Sequence, residues 1–157
     1  MKTAGIFSII FLFFFPNLFA QEKPYPEIDA LISKSEKLIE VNMDSALSYS
    51  FKAAELSLKK NDSSYIATSY VAVGNVYDEM DEADNAISYY QKSLNASKNI
   101  SDEHLKMTIK LSLAQAFFDK GNFDEAFLWF KKAKSSESKV SDPDLIYAIY
   151  SGIAHTY

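Results

Sequence analysis

The 157-residue sequence contains no cysteine and no arginine. Without cysteine there is no disulfide framework, no thiolate metal site and no cysteine nucleophile. Without arginine there is no planar guanidinium to clamp a carboxylate or phosphate through paired hydrogen bonds. All 16 basic residues are lysine, set against 21 acidic ones, for a formal net charge of −5. Such a chain lacks the basic stripe that neutralises phosphate, so no nucleic acid is expected on this segment. What is present is 48% apolar and 15% aromatic. That is ample for a packed core and excludes disorder by composition. The length allows one domain.

Residues 1–20 read as a secretory signal peptide. Lys2 gives a positive start, residues 6–15 are apolar except for Ser8, and Pro16 breaks the run before a cleavage site after Ala20. As a helix, residues 6–20 reach about 22 Å against a hydrocarbon core of about 30 Å, which favours removal over retention as an anchor. Cleavage would leave a chain beginning at Gln21, with 15 lysines against 21 acids and no further membrane span. Residues 21–26 form a short linker.

A period of forty residues organises the rest. Ala46, Ala86 and Ala126 lie forty apart, as do Asp44, Asp84 and Asp124. So do Tyr77, Phe117 and Tyr157; Val73, Leu113 and Ile153; Gly74, Ala114 and Ala154; and Asp62, Asp102 and Asp142. Each unit reads as two helices. The first carries Tyr70, Val73, Gly74 and Tyr77, then Leu111, Leu113, Ala114 and Phe117, at helical spacing. Asp62, Asp102 and Asp142 stand where a carboxylate caps the first helix, and Pro143 suits its first position. The second begins near Asp44, Asp84 or Asp124. Lys120-Gly121-Asn122 is a short turn in which Gly121 can end a helix in the left-handed conformation. No stretch alternates with a period of two, so the expected fold is all-α. Gly74 with Ala86, and Ala114 with Ala126, are the expected close crossings. The aromatic three positions later should fill the gap between its own hairpin and the next.

The set Tyr70, Val73, Gly74, Tyr77, Ala86 and Tyr90 resembles the tetratricopeptide pattern of aromatic-x2-aliphatic-Gly-x2-Tyr followed by Ala-x3-aromatic. Leu113, Ala114, Phe117, Ala126, Phe130 and Ala133 repeat it, with Lys110 departing at the aromatic position, and Tyr150, Ile153, Ala154 and Tyr157 begin it again. The resemblance implies an α-solenoid of antiparallel helix-turn-helix repeats. These run over 27–66 (degenerate, with Lys34 in a small position and Lys37 in an aromatic one), 67–106, 107–146 and a truncated 147–157. The period exceeds the usual 34 residues, and the family's late proline is absent at Lys98. The final helix has no partner in the sequence, which suggests the N-terminal part of a longer protein.

Little points to catalysis. His104 follows Asp102 in a first turn, where a solvated residue is expected, and His155 stands alone. Neither spacing supplies further metal ligands. No Ser-His-Asp order, Gly-rich phosphate loop, His-Glu-x-x-His or Ca-loop pattern occurs. Acid pairs such as Glu79 with Asp81 read as caps and solvated faces. No cofactor and no enzyme activity are expected.

The family resemblance implies that the first helices line a groove for extended peptides or a partner helix. Carried over by register, its positions are Thr68, Val71, Asn75, Asp78 and Glu79, then Thr108, Leu111, Gln115, Phe118 and Asp119, with His155 matching Asn75 and Gln115. Amides there can offer a peptide backbone both a donor and an acceptor. The family's clamp for an acidic C-terminus uses basic residues at such positions. This chain has carboxylates and amides, so a neutral or basic ligand is expected. Lys, Asn, Ile, Phe and Tyr are favoured in the manner of an AT-rich bacterial coding sequence. The sequence is therefore read as an exported, periplasmic scaffold for an unidentified protein or peptide partner. The alternative is the sensory portion of a membrane-anchored histidine kinase or DNA-binding regulator, anchored through a region beyond Tyr157.

Overall fold

The computed structural model describes residues 24–156; the expected signal peptide, residues 21–23 of the linker and Tyr157 lie outside the described residues. Seven α-helices follow one another: α1 (Pro26–Leu38), α2 (Met43–Lys60), α3 (Ser63–Glu79), α4 (Ala83–Ala96), α5 (Glu103–Asp119), α6 (Phe123–Lys134) and α7 (Pro143–His155). No strand occurs among the described residues. Each helix packs mainly on the one before and the one after it, so α1–α2, α3–α4 and α5–α6 form hairpins that stack in order, with α7 last. The fold is the expected all-α solenoid. None of the described helices is long and apolar enough to cross a membrane.

The repeated aspartates set the helix starts. Asp62 accepts from the amides of Ser64 (2.9 Å) and Tyr65 (3.1 Å), and Asp102 from Leu105 (2.9 Å). Asp142 accepts from Asp144 (3.1 Å) and Leu145 (3.2 Å). Each satisfies donors that have no partner within the helix and places negative charge at the positive end of its dipole. The hairpins therefore open at Ser63, Glu103 and Pro143, and the unit divisions at 66/67, 106/107 and 146/147 fall within α3, α5 and α7. Asp44, Asp84 and Asp124 sit in the first turns of α2, α4 and α6.

Turn chemistry repeats too. Gly121 is left-handed (φ 77°), with its amide and that of Asn122 donating to the carbonyls of Phe118 and Phe117 at 2.8 and 2.9 Å. Forty residues earlier Asp81 holds the same conformation (φ 59°) with equivalent bonds to Asp78 and Tyr77.

The seam between helices differs in detail from the expectation. Gly74 is required by a ring: a Cβ there would lie 2.5 Å from the Tyr90 side chain. In the next hairpin Ala114 shares one buried cluster with Ala126 and Phe130. Tyr77 borders the apolar cluster shared with α5, but its ring partners are Tyr89 of α4 (5.6 Å between centroids) and Phe51 of α2 (6.3 Å). It therefore fills a gap towards the preceding hairpin. The first unit is also less degenerate than its register suggests. The Asn42 amide donates to the Leu38 carbonyl, whereas Glu82 and Asn122 reach one residue further back, to Tyr77 and Phe117; the α1–α2 connection is thus one residue shorter, which moves the small position from Lys34 to Ser35. Ser35 is 1% exposed and its hydroxyl donates to the Ala46 carbonyl at 2.8 Å.

Candidate functional site

Asn75, Asp78 and Glu79 occupy successive turns of one face of α3, and Gln115, Phe118 and Asp119 hold the same register on α5. Stacking the hairpins sets the two faces side by side. Asn75, Asp78 and Glu79 line one side of a groove of about 380 Å³; Leu111, Ser112 and Gln115 line the other. An adjoining hollow of about 400 Å³ is walled by Asp78, Glu79, Asp81, Gln115 and Asp119. A third, of about 380 Å³, lies between α5, α6 and α7 and is lined by Gln115, Phe118, Phe130, Ser151, Gly152 and His155, among others. Gln115 lines all three and joins them into a continuous surface.

The electrostatics of this surface are acidic. Asp78 is half-buried, and its carboxyl is pushed up to about 6, first by burial and then by the charges of Asp119, Glu79 and Asp81. Tyr90, 1% exposed, donates its hydroxyl to Asn75 Oδ1 at 2.9 Å. Burial and the Asp78 charge hold that hydroxyl's pKa far above its usual value. The bond orients the Asn75 amide and occupies its oxygen, leaving the NH2 group to donate. Gln115 shows the converse, since its Nε2 donates to both carboxylate oxygens of Asp119 (2.9 and 3.1 Å) and leaves its carbonyl to accept.

Phe118 meets Phe123 edge to face at 5.2 Å. Nδ1 of His155 lies 2.7 Å from the Ser151 carbonyl, which can only accept, so Nδ1 carries the proton and Nε2 faces outward as the other ring function. Ser151 Oγ lies 3.5 Å from that same Nδ1. A nitrogen already protonated cannot deprotonate the serine, so this pair is no nucleophile–base dyad. His104 is exposed, as expected of a solvated first-turn residue, and also bonds Asp142 Oδ2 through Nε2 at 2.9 Å, tying α5 to the cap of α7 and lowering the Asp142 pKa. No group of three or more metal-ligating side chains gathers among the described residues. The groove can hydrogen-bond and attract cations.

Sequence reasoning missed three contributors to this surface. Tyr90 reads as seam, yet its hydroxyl reaches the groove. Asp81 reads as a cap, though its register with Gly121 marks it as a turn residue standing beside α3. Ser112 carries no signal of its own and is located only by the packing of α5 on α4.

The sequence model described as tetratricopeptide repeat matches residues 65–136. A comparison with curated proteins finds no match in sequence. Among solved structures, the N-terminal domain of stress-induced protein-1 (STI-1) from C. elegans superposes with a TM-score of 0.63 at 19% identity. That match covers 81% of this chain and 94% of the other. BtubC (BKLC) from P. vanneervenii superposes with a TM-score of 0.68 at 16% identity, over 88% of this chain and 59% of the other. At those identities the likeness is one of fold. The matched segment, the repeated caps and seams, and stacked hairpins over the described residues together support a tetratricopeptide-repeat family for this chain.

Proposed function

We propose that the chain is a non-catalytic scaffold, exported from the cytoplasm, whose groove along α3, α5 and α7 holds an extended, neutral or basic segment of a protein partner. Tetratricopeptide repeats are in general protein–protein interaction scaffolds, which supplies the broad role. The observation that carries the finer one is the convergence of Asp78, Glu79, Asp81 and Asp119 on one groove, with Asp78 half-buried. A lysine side chain entering there relieves like-charge repulsion, and the Asn75 amide and Gln115 carbonyl are placed to bond an extended backbone. An acidic segment would meet four carboxylates and no arginine.

Calorimetric titration with a lysine-rich and a glutamate-rich extended peptide tests this reading. The lysine-rich peptide should bind, more weakly at pH 5 than at pH 7 because Asp78 takes up a proton near pH 6. Asn75→Ala with Gln115→Ala should weaken it at least ten-fold. Equal binding of both peptides, or an unaffected double variant, would sink the groove assignment. Export rests on residues 1–20 of the sequence. It predicts that protein recovered from the periplasm of a bacterial host begins at Gln21; recovery of the full chain in the cytoplasm alone would contradict it.

A further inference from the structure

The residues that follow α6 complete a charged cluster on α5. Glu103, Lys106 and Lys110 fall at helical spacing on one face of α5. Ser136 and Lys139 meet them from the connection into α7, which Val140 anchors through the buried cluster it shares with Met107, Ala133 and Ile149. Glu103 pairs with Lys106 at 3.3 Å and with Lys139 at 3.4 Å, and Lys110 Nζ donates to Ser136 Oγ at 2.8 Å. Both ion-pair distances exceed the roughly 2.7–2.9 Å of a close charge-assisted bond. The Lys106 and Glu103 side chains are only 20% and 28% exposed and Ser136 is 4% exposed, whereas Lys139, at 61%, opens the cluster to water. Three ammonium groups thus share one carboxylate, which leaves two positive charges unmatched. Burial lowers the pKa of Lys110; Glu103 opposes that shift, and Lys106 and Lys139 add to it.

The repeat does not require this cluster. Forty residues earlier the same positions are Ser63, Ile66, Tyr70, Ala96 and Asn99, all uncharged, in a hairpin of the same architecture. Tyr70 there meets the Tyr89 ring at 6.0 Å. Placing half-buried lysines in that seam costs desolvation that the earlier hairpin avoids. We propose that Lys106, Lys110, Lys139 and the Ser136 hydroxyl form a site for a doubly charged tetrahedral oxyanion, the phosphate group of a free ion or of a small monoester. Two unmatched charges fit a dianion, whereas a carboxylate would leave one over. Ser136 Oγ accepts from Lys110, so its own proton is left to donate to an anion oxygen. Lysines act here as point charges, and one tetrahedral group needs no arginine fork. None of these residues lines the acidic groove, so the two surfaces are separate. A chain of net charge −5 repels an extended polyanion, which restricts the ligand to a single phosphate group.

The probe is inorganic phosphate, titrated into the chain at fixed ionic strength against sodium chloride and followed by calorimetry. Trp129, the sole tryptophan, stands to Lys110 as Tyr89 does to Tyr70, so its fluorescence should change in parallel. Lys110→Met, apolar as the seam is at Tyr70, and Ser136→Ala should each weaken binding about ten-fold or more by removing a bond to the anion. Both are checked for helicity by circular dichroism. Glu103→Gln should act in the opposite sense and tighten binding several-fold, because it releases Lys106 and Lys139 from their carboxylate. Phosphate should also raise the melting temperature of the parent and of Glu103→Gln, but not that of Lys110→Met. O-phosphoserine as competitor separates the sources, and either result supports the site: displacement of phosphate assigns it to monoesters, and no displacement to the free ion. A response to phosphate no different from that to chloride, binding unchanged in both Lys110→Met and Ser136→Ala, or weaker binding in Glu103→Gln would overturn the proposal. The groove reading is not at stake here, because Asn75→Ala/Gln115→Ala should bind phosphate as the parent does.

Discussion

At Asp81 the backbone is left-handed (φ 59°) in the same turn position that glycine occupies at Gly121 (φ 77°). A side chain beyond Cα is disfavoured there, whereas glycine adopts the conformation without that clash. Asp81→Gly should therefore stabilise the chain by about 0.5–1 kcal/mol in urea titration. A loss of stability would mean that the carboxylate makes a compensating bond. Asp78 gives a second expectation at this scale. Its carboxyl titrates near 6 in the folded chain, above the ordinary value near 4, so the fold holds a proton that the unfolded chain releases between those values. The group's favourable contribution is present below about pH 4 and is lost as the pH rises through 6. Asp78→Asn should thus be more stable than the parent at pH 7, with the difference shrinking towards pH 4. A parent more stable than Asp78→Asn at pH 7 would reverse the assignment of burial and like charge as the cause.

Between helices, the controlling fact is that each seam admits one ring and little else. Tyr90 cannot withdraw from Gly74, because it is buried and its hydroxyl is bonded to Asn75. Gly74→Ala, ordinarily favourable in a helix, should here cost about 1–3 kcal/mol through overpacking. A neutral result would show that α4 can shift away. The array itself was legible in the sequence because its markers are local: a cap, a small residue and a ring recur at one interval and need no knowledge of distant neighbours. The first unit was harder, since a connection one residue shorter between Leu38 and Asn42 displaces Ser35 from the forty-residue register. A further set went unread. Tyr49, Tyr89 and Trp129 are each covered by the lysine three residues on, at 5.0, 4.0 and 3.7 Å from the ring centroid. The Asn75 bond to Tyr90 and the raised pKa of Asp78 were also out of reach, because each depends on groups brought together from separate helices.

Across the whole molecule, a stack in which each helix packs mainly on its neighbours distributes stability unevenly. The cost of opening one helix is roughly the sum of its interfaces. Helices α3 to α5 are gripped on both sides. Among the described residues α7 is held on one, through Leu145, Ile146, Ile149 and Ile153 against Met107, Ala133 and Val140, with His104–Asp142 and Tyr150–Glu137 as exposed ties. Exposed pairs contribute little, so the apolar cluster must carry the attachment. Native-state hydrogen exchange should therefore show α7 opening by itself, at a free energy about 2 kcal/mol or more below that of α3 and α5. Ile149→Ala should widen that gap, because it deletes a side chain 1% exposed at the centre of the cluster and leaves the α3–α4 seam untouched. If α7 instead exchanges together with α5 in one cooperative step, its open face costs the fold nothing, and the additive account of the stack fails at this end.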